Sequence, residues 1–309
     1  GITLAYDEFT GTNHDEAPIA ARLAAHYGIE HHVRRVSHDE FAADLPRILA
    51  AMDQPSVDGI NTWYATKAVA ELGLKVVVSG VGGDELFQGY ASFSQLPRLV
   101  AAWAPTSRIP GAMPLARSLM SLQARVSDNK RWCYMPDWAR TMPGAWWLRR
   151  GLYSPADLPG LMGEGLAAEG LQGFSPDVWV EQMSGAIAGD SKLAVGQIES
   201  TTYMRNQLLR DSDWASMDHS VELRTPLVDA WLLRDLQPFL GAFKQFPNKR
   251  LLAEAPAIPL PEDLITRPKT GFGIPVQKWL RQLGHAEVSG GPSHGWARMV
   301  AQMYESGGI

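Results

Sequence analysis

An apolar, β-branched run leads directly into a glycine-rich turn and then into two adjacent carboxylates. The stretch reads Lys75-Val76-Val77-Val78-Ser79-Gly80-Val81-Gly82-Gly83-Asp84-Glu85. It predicts a buried strand over residues 76–79, a ligand-binding loop and the start of a helix. Glycines leave room for backbone N–H groups to approach a nucleotide, and a helix N-terminus favours negative charge. The alternative is a strand-to-helix turn whose glycines only relieve strain.

Two common nucleotide-binding motifs do not match this turn. Glu85 occupies the third glycine position of the dinucleotide fingerprint G-x-G-x-x-G, and the chain contains no G-x-x-x-x-G-K run followed by Ser or Thr. An ATP site here would therefore differ from both the Rossmann and the Walker schemes.

The first 90 residues alternate short apolar strands with helical periods. Apolar spacing predicts helices over residues 15–27, 39–52 and 63–72, and alternation predicts a strand over residues 32–36. This βαβ rhythm implies a parallel sheet with ligands beyond the carboxyl ends of its strands. The Ser79 to Glu85 turn lies at such an end.

Residues 91–190 are rich in Pro, Met, Gly and Trp. The tryptophans, flanked by basic residues, suggest either base stacking or the packing of a helical core, and packing is the favoured interpretation. These tryptophans are Trp132, Trp138, Trp146, Trp147 and Trp179. The glycine-rich residues 159–173 are predicted to form a flexible loop, whereas residues 230–239 and 249–254 are predicted to be helical.

Composition favours a soluble enzyme of a reducing compartment, and we expect the cytoplasm. The chain has 309 residues, 45% of them hydrophobic, with a net charge of −5. This acidic balance argues against a nucleic-acid partner. Cys133 is the only cysteine, so no internal disulfide is possible. No apolar run approaches about 18 residues, which argues against a membrane span.

Two further stretches of sequence follow the glycine turn along the chain and carry recognisable motifs. They are Asp213-Trp214-Ala215-Ser216-Met217-Asp218-His219-Ser220-Val221-Glu222-Leu223-Arg224-Thr225-Pro226-Leu227-Val228-Asp229 and Arg267-Pro268-Lys269-Thr270-Gly271-Phe272-Gly273-Ile274-Pro275. A weaker fourth stretch is Asp15-Glu16, followed by His31-His32. Together they resemble the C-terminal synthetase domain of the glutamine-hydrolysing (class B) asparagine synthetase family, over roughly residues 1 to 285.

The resemblance implies an α/β fold, with a parallel sheet and flanking helices of the adenine nucleotide alpha-hydrolase, ATP-pyrophosphatase type, plus a mainly helical remainder. The expected division is a partial nucleotide-binding region (1–90), a helical part carrying the later motifs (91–285) and a tail (286–309). The Ile2 to Tyr6 segment resembles the strand that follows the family's S-G-G-x-D-S phosphate loop. The chain is thus expected to be truncated upstream, without that loop or the glutaminase domain.

The activity implied by the resemblance is ATP-dependent amide formation with Mg²⁺. Aspartate is activated as β-aspartyl-AMP with release of pyrophosphate, and ammonia from a glutaminase domain then attacks it. The chain alone is expected to be a poor or inactive synthetase, and the resemblance also allows a homodimer.

The resemblance assigns roles to individual residues. Lys269 matches the catalytic lysine that contacts the phosphates, and Asp84 matches the magnesium-binding aspartate. Leu4, Ser79 and Gly80 match ATP-binding positions. Without the motifs, Lys269 would be interpreted as a surface lysine and Asp84 as a helix cap. Leu4, Ser79 and Gly80 would be interpreted as ordinary core or turn residues.

Four residues of the second motif are expected to support the site. Asp213 and Ser216 border the pocket by resemblance, or cap a helix instead. Glu222 and Arg224 form a structural ion pair or face the substrate. Structural support is favoured for Glu222, and both roles stay open for Arg224.

Three positions depart from the family pattern. Val81 replaces a glutamate proposed to act as a base or to orient the nucleophile, Trp214 replaces a basic residue, and Gln88 replaces a glycine. Val81 leaves open a same-family ligase for another carboxylate, of the β-lactam synthetase or lasso-peptide cyclase type, and a non-catalytic scaffold. Among these, the β-lactam synthetase type is disfavoured, because such enzymes typically use a Tyr-Glu pair and Val81 removes the expected glutamate.

Overall fold

The computed structural model describes residues 1–186, 190–246, 249–267, 273–284 and 292–305. It is mainly helical. The strands are β1 (Ile2–Tyr6), β2 (His32–Val36), β3 (Val76–Val78) and β4 (Glu222–Arg224). The α-helices are α1 (Ala17–Tyr27), α2 (His38–Ala51), α3 (Ile60–Glu71), α4 (Gly83–Leu86), α5 (Ser92–Trp103), α6 (Ala112–Val126), α7 (Met135–Trp138), α8 (Met142–Arg150), α9 (Leu158–Met162), α10 (Glu164–Gly173), α11 (Pro176–Ser184), α12 (Ser191–Glu199), α13 (Leu209–Met217), α14 (Ala230–Leu236), α15 (Arg250–Glu254), α16 (Glu262–Ile265), α17 (Val276–Gln282) and α18 (Pro292–Glu305).

Other helical segments connect these elements. A π-helix joins α12 to α13, and short 3₁₀ segments occur elsewhere. The π-helix is Ser200–Leu208, and the 3₁₀ segments are Asp7–Phe9, Ala104–Arg108, Lys130–Tyr134, Pro155–Asp157, Pro226–Val228 and Gln237–Gln245.

Two compact units are interleaved along the chain. Unit 1 comprises Gly1–Val81, Gln207–Pro226 and Ala253–Ile309, and unit 2 comprises Gly82–Asn206 and Leu227–Leu252. The predicted boundaries at residues 90 and 285 divide the chain into consecutive segments, whereas each unit consists of stretches that are separate in sequence.

Among the described residues, the four strands lie in unit 1 and form two parallel pairs. β1 pairs with β2, from Ile2 opposite His32 to Tyr6 opposite Val36. Between these strands α1 ends at Gly28, whose φ of 65° is the left-handed conformation that favours glycine. β3 pairs with β4. The parallel arrangement predicted from the βαβ rhythm is therefore present.

The core of unit 1 combines aliphatic side chains with several large aromatic ones. Trp63 and Trp279 are fully buried, and Trp296 is almost so. The indole of Trp279 donates a hydrogen bond to Glu8 Oε1 at 2.6 Å, and that of Trp296 donates to the Ser56 carbonyl at 3.1 Å. Each buried N–H thus has the partner that burial requires.

Unit 2 is helical, and its core confirms the packing interpretation of its tryptophans. Trp146 is buried, and Trp147 and Trp179 pack against the same cluster. The nearby Arg131 donates hydrogen bonds to the carbonyls of Gly151 and Leu152. That basic side chain therefore serves the fold of the unit rather than a free cationic surface.

Two sequence predictions are wrong. Residues 159–173 form α9 and α10 rather than a loop, because Leu, Ala and Glu between the glycines are strong helix formers. The strand at residues 76–78 is not buried, since Val76 is 41% and Val78 68% exposed. In the described part of the chain β3 pairs only with β4, and this two-stranded sheet leaves its valines uncovered.

No helix in the described part of the chain is both long enough and apolar enough to cross a membrane.

Candidate functional site

The first and second motifs meet at the carboxyl ends of β3 and β4. Val78 lies opposite Arg224, and the next residue, Ser79, donates its backbone N–H to the Arg224 carbonyl at 2.8 Å. The Ser79 hydroxyl accepts a hydrogen bond from the Val81 N–H at 3.3 Å, while Gly80 is exposed. The strand pairing thus places Ser79 and Gly80 beside the second motif, as expected of a ligand loop at a sheet edge.

Gly82 begins the part of the turn that belongs to unit 2. Its φ is 91°, and a Cβ there would lie 2.7 Å from the Val228 side chain and 3.1 Å from the Leu227 carbonyl oxygen. Both the backbone conformation and the close approach therefore require glycine. Leu227 and Val228 lie near the end of the second motif, so the two motifs also meet within unit 2.

Asp84 follows on the short helix α4 and forms an ion pair. Lys249 Nζ lies 3.0 Å from Asp84 Oδ1, and the Asp84 side chain is 22% exposed. Gly89 lies against the same carboxylate, since a Cβ at Gly89 would be 2.0 Å from Oδ1. Sequence reasoning missed Lys249, which lies far along the chain and outside the motifs.

The surroundings of Asp84 fit a Mg²⁺ ion that is held mainly by a substrate. Among the described residues, no group of three or more His, Cys, Asp or Glu side chains could form a metal cage. Mg²⁺ usually keeps several waters and binds one or two carboxylates together with substrate phosphates. A single aspartate at a glycine turn suits that mode of binding. When no metal is bound, the Lys249 ammonium supplies the positive charge opposite the Asp84 carboxylate.

The neighbouring Glu85 belongs to a buried polar network. It is 5% exposed, and the Tyr90 hydroxyl donates to its Oε1 at 2.8 Å. Burial raises the pKa of Glu85. The Arg150 guanidinium lies 4.6 Å from the centre of the Tyr90 ring and pairs with the fully buried Glu199 at 3.0 Å. Nothing in the spacing of these residues predicted this network.

Glu222 and Arg224 form an ion pair, which is one of the two roles that the sequence suggested for them. Arg224 Nε donates to Glu222 Oε1 at 2.8 Å. This hydrogen bond lowers the pKa of Glu222 and raises that of Arg224. Both side chains are about 60% exposed, so the pair orients two groups on the surface of β4 and contributes little to stability.

Asp213 and Ser216 lie inside α13, so the helix-cap alternative is wrong for both. Asp213 is exposed, whereas Ser216 is buried and donates its hydroxyl to the Asp213 carbonyl at 3.2 Å. Between them, Trp214 belongs to the core of unit 1. Its ring lies so close to Gly59 that a Cβ there would be only 2.5 Å away. At position 214, where the family has a basic residue, this chain therefore has a tryptophan side chain that packs in the core.

Leu4 lines a small cavity in unit 1 to which three stretches of sequence contribute. The cavity has a volume of about 10 Å³, and its lining includes Asp15, Glu16 and Gly273 of the other motifs. That volume holds one water molecule rather than a purine ring. Leu4 itself is 5% exposed and part of the core. In this conformation adenine cannot reach Leu4 unless neighbouring side chains move.

Lys269 lies outside the described residues, as do its neighbours Pro268 and Thr270. The motif's first residue, Arg267, is described. Its guanidinium donates to the Asn13 carbonyl at 3.2 Å, which connects the third motif to the loop that precedes α1.

Gln88 adopts a backbone conformation that suits the glycine found there in the family. Its φ is 57°, in the left-handed region. The Gln88 side chain donates from Nε2 to the Leu240 carbonyl at 3.3 Å. This contact offsets part of the backbone cost.

Comparison with known proteins settles the family. The family model described as asparagine synthase matches residues 2–292. The chain belongs to the asparagine synthase family. This membership fits the mainly helical α/β fold with its short parallel sheets. No solved structure matches the chain.

Curated proteins that resemble the chain include bacterial and fungal proteins. A putative glutamine-hydrolyzing asparagine synthetase of Mycobacterium bovis is 27% identical over 86% of this chain and 40% of its own length. Glutamine-hydrolyzing asparagine synthetase 1 of Bacillus subtilis is 27% identical over 86% of this chain and 41% of its own length. The amidase chyE of Penicillium rubens is 31% identical over 30% of this chain and 14% of its own length. The chain thus spans about 40% of the first two relatives.

Proposed function

We propose that this chain is the synthetase part of an ATP-dependent amide ligase, and that its acyl substrate is aspartate. The observation that carries the proposal is the meeting of two family motifs at the ends of β3 and β4, where Ser79 bonds to Arg224 at 2.8 Å. The family match over residues 2–292 supports it. The proposed fold type is that of the adenine nucleotide alpha-hydrolases with ATP-pyrophosphatase chemistry.

The proposed reaction has two steps. An oxygen of the aspartate side-chain carboxylate forms a bond to the α-phosphorus of ATP, and the bond from that phosphorus to the pyrophosphate oxygen breaks. The nitrogen of ammonia then forms a bond to the acyl carbon of β-aspartyl-AMP, AMP leaves with the bonding electron pair, and the nitrogen loses one proton. Each leaving group develops negative charge that the site must stabilise.

The chain's residues receive distinct roles in this proposal. Ser79 and Gly80 present backbone groups to the nucleotide, and Leu4 would contact adenine after rearrangement of its cavity. Asp84 would hold Mg²⁺, which would neutralise phosphate charge when bound. Lys269 would place an ammonium on the phosphates and stabilise the developing charge.

Second-motif residues support the site in the proposal. Glu222 holds Arg224 by their 2.8 Å hydrogen bond, and Arg224 is thereby positioned to receive an anionic group of a substrate. Ser216 fixes the last turn of α13 through its bond to the Asp213 carbonyl. Asp213, exposed on the same helix, is the member of this pair that a substrate could reach.

The ammonia source in the proposal is a glutaminase part. The M. bovis and B. subtilis relatives are named as glutamine-hydrolyzing, and this chain matches about 40% of each. We therefore propose that glutamine hydrolysis belongs to a different part of the full-length protein, and that this chain alone has little synthetase activity. A cytoplasmic location and a homodimer are further parts of the proposal.

Val81 motivates two alternatives. Val81 stands where asparagine synthetases carry a glutamate, so the full-length protein could be a ligase of the same family that acts on another carboxylate, of the β-lactam synthetase or lasso-peptide cyclase type. The missing glutamate counts against the β-lactam synthetase type. A non-catalytic scaffold is the other alternative, and retention of Asp84 and Lys269 argues against it.

The test follows ¹⁵N-ammonium into product with the full-length protein, ATP, magnesium and a panel of carboxylic acids headed by aspartate. The proposal predicts labelled asparagine, AMP and pyrophosphate in equal amounts. It also predicts that Lys269→Ala lowers the rate by at least ~100-fold, whereas Lys278→Ala, at a 60% exposed lysine, leaves the rate unchanged. A labelled amide from another acid only would replace aspartate as the substrate. Absence of any labelled amide would contradict the proposal.

A further inference from the structure

An apolar stripe runs along the exposed side of α6 in unit 2. Four large side chains of this 15-residue helix lie in the stripe, and each is more than half exposed. They are Leu115 (61% exposed), Leu119 (52%), Leu122 (59%) and Val126 (76%). Single apolar residues on a surface are normal, but a contiguous row of them marks an interaction site. These four side chains form the α6 seam.

The opposite side of α6 is already packed within unit 2. Ala124 is buried there, and Met113 and Met120 are half-buried. Arg117 donates a hydrogen bond to Asp137 Oδ1 of α7 at 2.7 Å, which fixes the rotation of α6 about its own axis. Turning the seam inward would break this packing. Burial of the α6 seam therefore requires a partner.

The spacing of the α6 seam is that of a two-helix coiled coil. Its residues follow one another at intervals of four, three and four positions, a repeat that keeps apolar side chains facing a second helix. The intervals are the same in both directions along the helix. In an antiparallel pair, Leu115 therefore lies opposite Val126 of the partner subunit, and Leu119 lies opposite Leu122 of the partner subunit. This reciprocity satisfies a two-fold interface, in which each surface must match itself.

The charges beside the α6 seam favour the antiparallel orientation. α6 contains no acidic residue, and the exposed Arg125 flanks the seam near its C-terminal end. A parallel pair would bring the basic C-terminal ends of both helices to the same level. In an antiparallel pair, Arg125 instead lies beside Ser118 of the partner subunit, which is neutral. The positive N-terminal end of each helix dipole then also lies beside the negative C-terminal end of the other.

The exposed area of the α6 seam suits a dimer of standard size. The four side chains present roughly 400 Å² of apolar surface in each copy, which is large for a patch on a monomer. Since interfaces are about 60% apolar, the complete contact would bury roughly 700 Å² in each copy and roughly 1,400 Å² in total. Specific protein–protein interfaces begin at about 1,200 Å² in total.

A membrane surface suits α6 less well than a second helix does. Helices that lie on anionic lipid carry several Lys or Arg residues on a polar face that is free. On α6 the face opposite the seam is packed, and Arg117 is held by Asp137. Of the two arginines of this helix, Arg125 alone remains to meet a phosphate.

We propose that the α6 seam binds the same seam of a second copy of this chain, with the two helices antiparallel. The expectation of a homodimer rests on the proposed function. The surface and the orientation follow from the exposure, the spacing and the charges of α6. Nothing in the sequence motifs points to this helix, because they lie outside it.

Sedimentation equilibrium of the chain over roughly 1–200 μM tests the dimer. The mass should rise with concentration from the 33.9 kDa of one copy to twice that value. Leu122→Lys places a charge in the seam and should weaken the dimer at least ~10-fold. The matched control is Leu166→Lys on α10, since Leu166 is 57% exposed and lies outside the seam. A monomer at every concentration, or an unchanged dimer in Leu122→Lys, would overturn the proposal.

Disulfide trapping tests the orientation in a Cys133→Ser background, because Cys133 is exposed and free. Leu115→Cys combined with Val126→Cys should link two copies on oxidation, since antiparallel pairing brings these positions within disulfide reach. Leu115→Cys alone should not link them, because the two copies of position 115 then lie about 16 Å apart along the helix axis. Efficient linkage by Leu115→Cys alone would overturn the antiparallel orientation.

Two other results would assign the α6 seam to a different occupant and overturn the proposal. The first is a monomeric chain that binds phosphatidylserine vesicles and loses this binding in Leu122→Lys, which would assign the seam to lipid. The second is a monomeric full-length protein in which the thiol of Leu122→Cys resists alkylation, although it reacts in this chain. That result would assign the seam to another part of the full-length protein.

Failure of the dimer and failure of amide synthesis give different results. Sedimentation needs no ATP, so a monomeric chain would leave labelled-amide synthesis by the full-length protein untouched. Conversely, dimerisation that depends on Leu122 would stand even if the full-length protein formed no amide.

Discussion

Lys249 Nζ lies 3.0 Å from Asp84 Oδ1, so the residue expected to bind Mg²⁺ has a lysine as its partner. Lys249 reaches this position with a φ of 56°, a left-handed conformation that is uncommon for residues with a side chain. The ion pair places an ammonium group against the carboxylate at the glycine turn. In our account Mg²⁺ and the Lys249 ammonium compete for the same oxygen.

Lys249→Met tests this competition. Without the ammonium, the metal-free chain should lose about 1 kcal/mol of unfolding free energy because Asp84 loses a half-buried partner. Millimolar magnesium should then raise the Tm of Lys249→Met more than that of the unsubstituted chain. The additional substitution Asp84→Asn should remove that difference, with sodium chloride of equal ionic strength as the control. Equal magnesium responses in all the proteins would refute metal binding at Asp84.

Gly89→Ala should disturb Asp84 directly. The new Cβ would lie 2.0 Å from Asp84 Oδ1, so the carboxylate must move and its pairing with Lys249 must weaken. We expect a loss of ~1–3 kcal/mol in unfolding free energy by chemical denaturation. Gly170→Ala is the matched control, since it lies inside α10 with open space around it and should stabilise by about 0.5–1 kcal/mol. A neutral Gly89→Ala would contradict the close approach.

Asp211 makes stability depend on pH. It is 2% exposed, accepts the Trp214 indole N–H at 3.0 Å, and its burial raises the pKa to about 6. The folded chain therefore binds a proton more tightly than the unfolded chain, for which the pKa is 3.8. This contribution is largest below pH 3.8, is lost as pH rises to about 6, and is constant above that value.

Asp211→Asn isolates this contribution. Asparagine keeps an acceptor for the indole and cannot ionise. Relative to the unsubstituted chain, Asp211→Asn should gain about 2 kcal/mol of unfolding free energy between pH 4 and pH 6, because about three quarters of a shift of about 2 units is expressed in that range and each unit is worth about 1.4 kcal/mol. Urea denaturation across this range measures the difference. A difference that does not change with pH would contradict the raised pKa of Asp211.

The buried pair of Arg150 and Glu199 should show strong coupling. Arg150→Met alone leaves the fully buried Glu199 carboxylate without its cation and should cost about 3–5 kcal/mol. Arg150→Met combined with Glu199→Leu removes both charges and should be more stable than Arg150→Met. Denaturation of the two single variants and the double variant forms a cycle. Additive losses would show that the two side chains do not interact.

Sequence patterns predicted the elements with strong local signals. The parallel pairing, the strand over residues 32–36 and the turn into α4 are present because apolar alternation and glycine placement act within a few residues. Burial of β3 was not predictable in this way. A run of valines fits a strand, but exposure of Val78 depends on which elements cover it.

Only those residues of the candidate site that lie within the sequence motifs were predictable. The resemblance identified Ser79, Asp84 and Arg224, and the structure adds their contacts. The partners Lys249 and Tyr90 lie outside the compared motifs, and nothing in their sequence surroundings indicates a role. Unit 2 also contains a cavity of about 710 Å³ that is lined by side chains from α5, α12 and α14, so no local sequence pattern could reveal it.

ATP–pyrophosphate exchange by the full-length protein, with magnesium and aspartate, tests the central claim most directly. Exchange reports the first step alone and does not need ammonia. The account predicts exchange that requires aspartate, falls sharply in Lys269→Ala and is retained in Lys278→Ala. Absence of exchange with aspartate and with every other carboxylic acid would contradict the assignment of this chain to an ATP-dependent amide ligase.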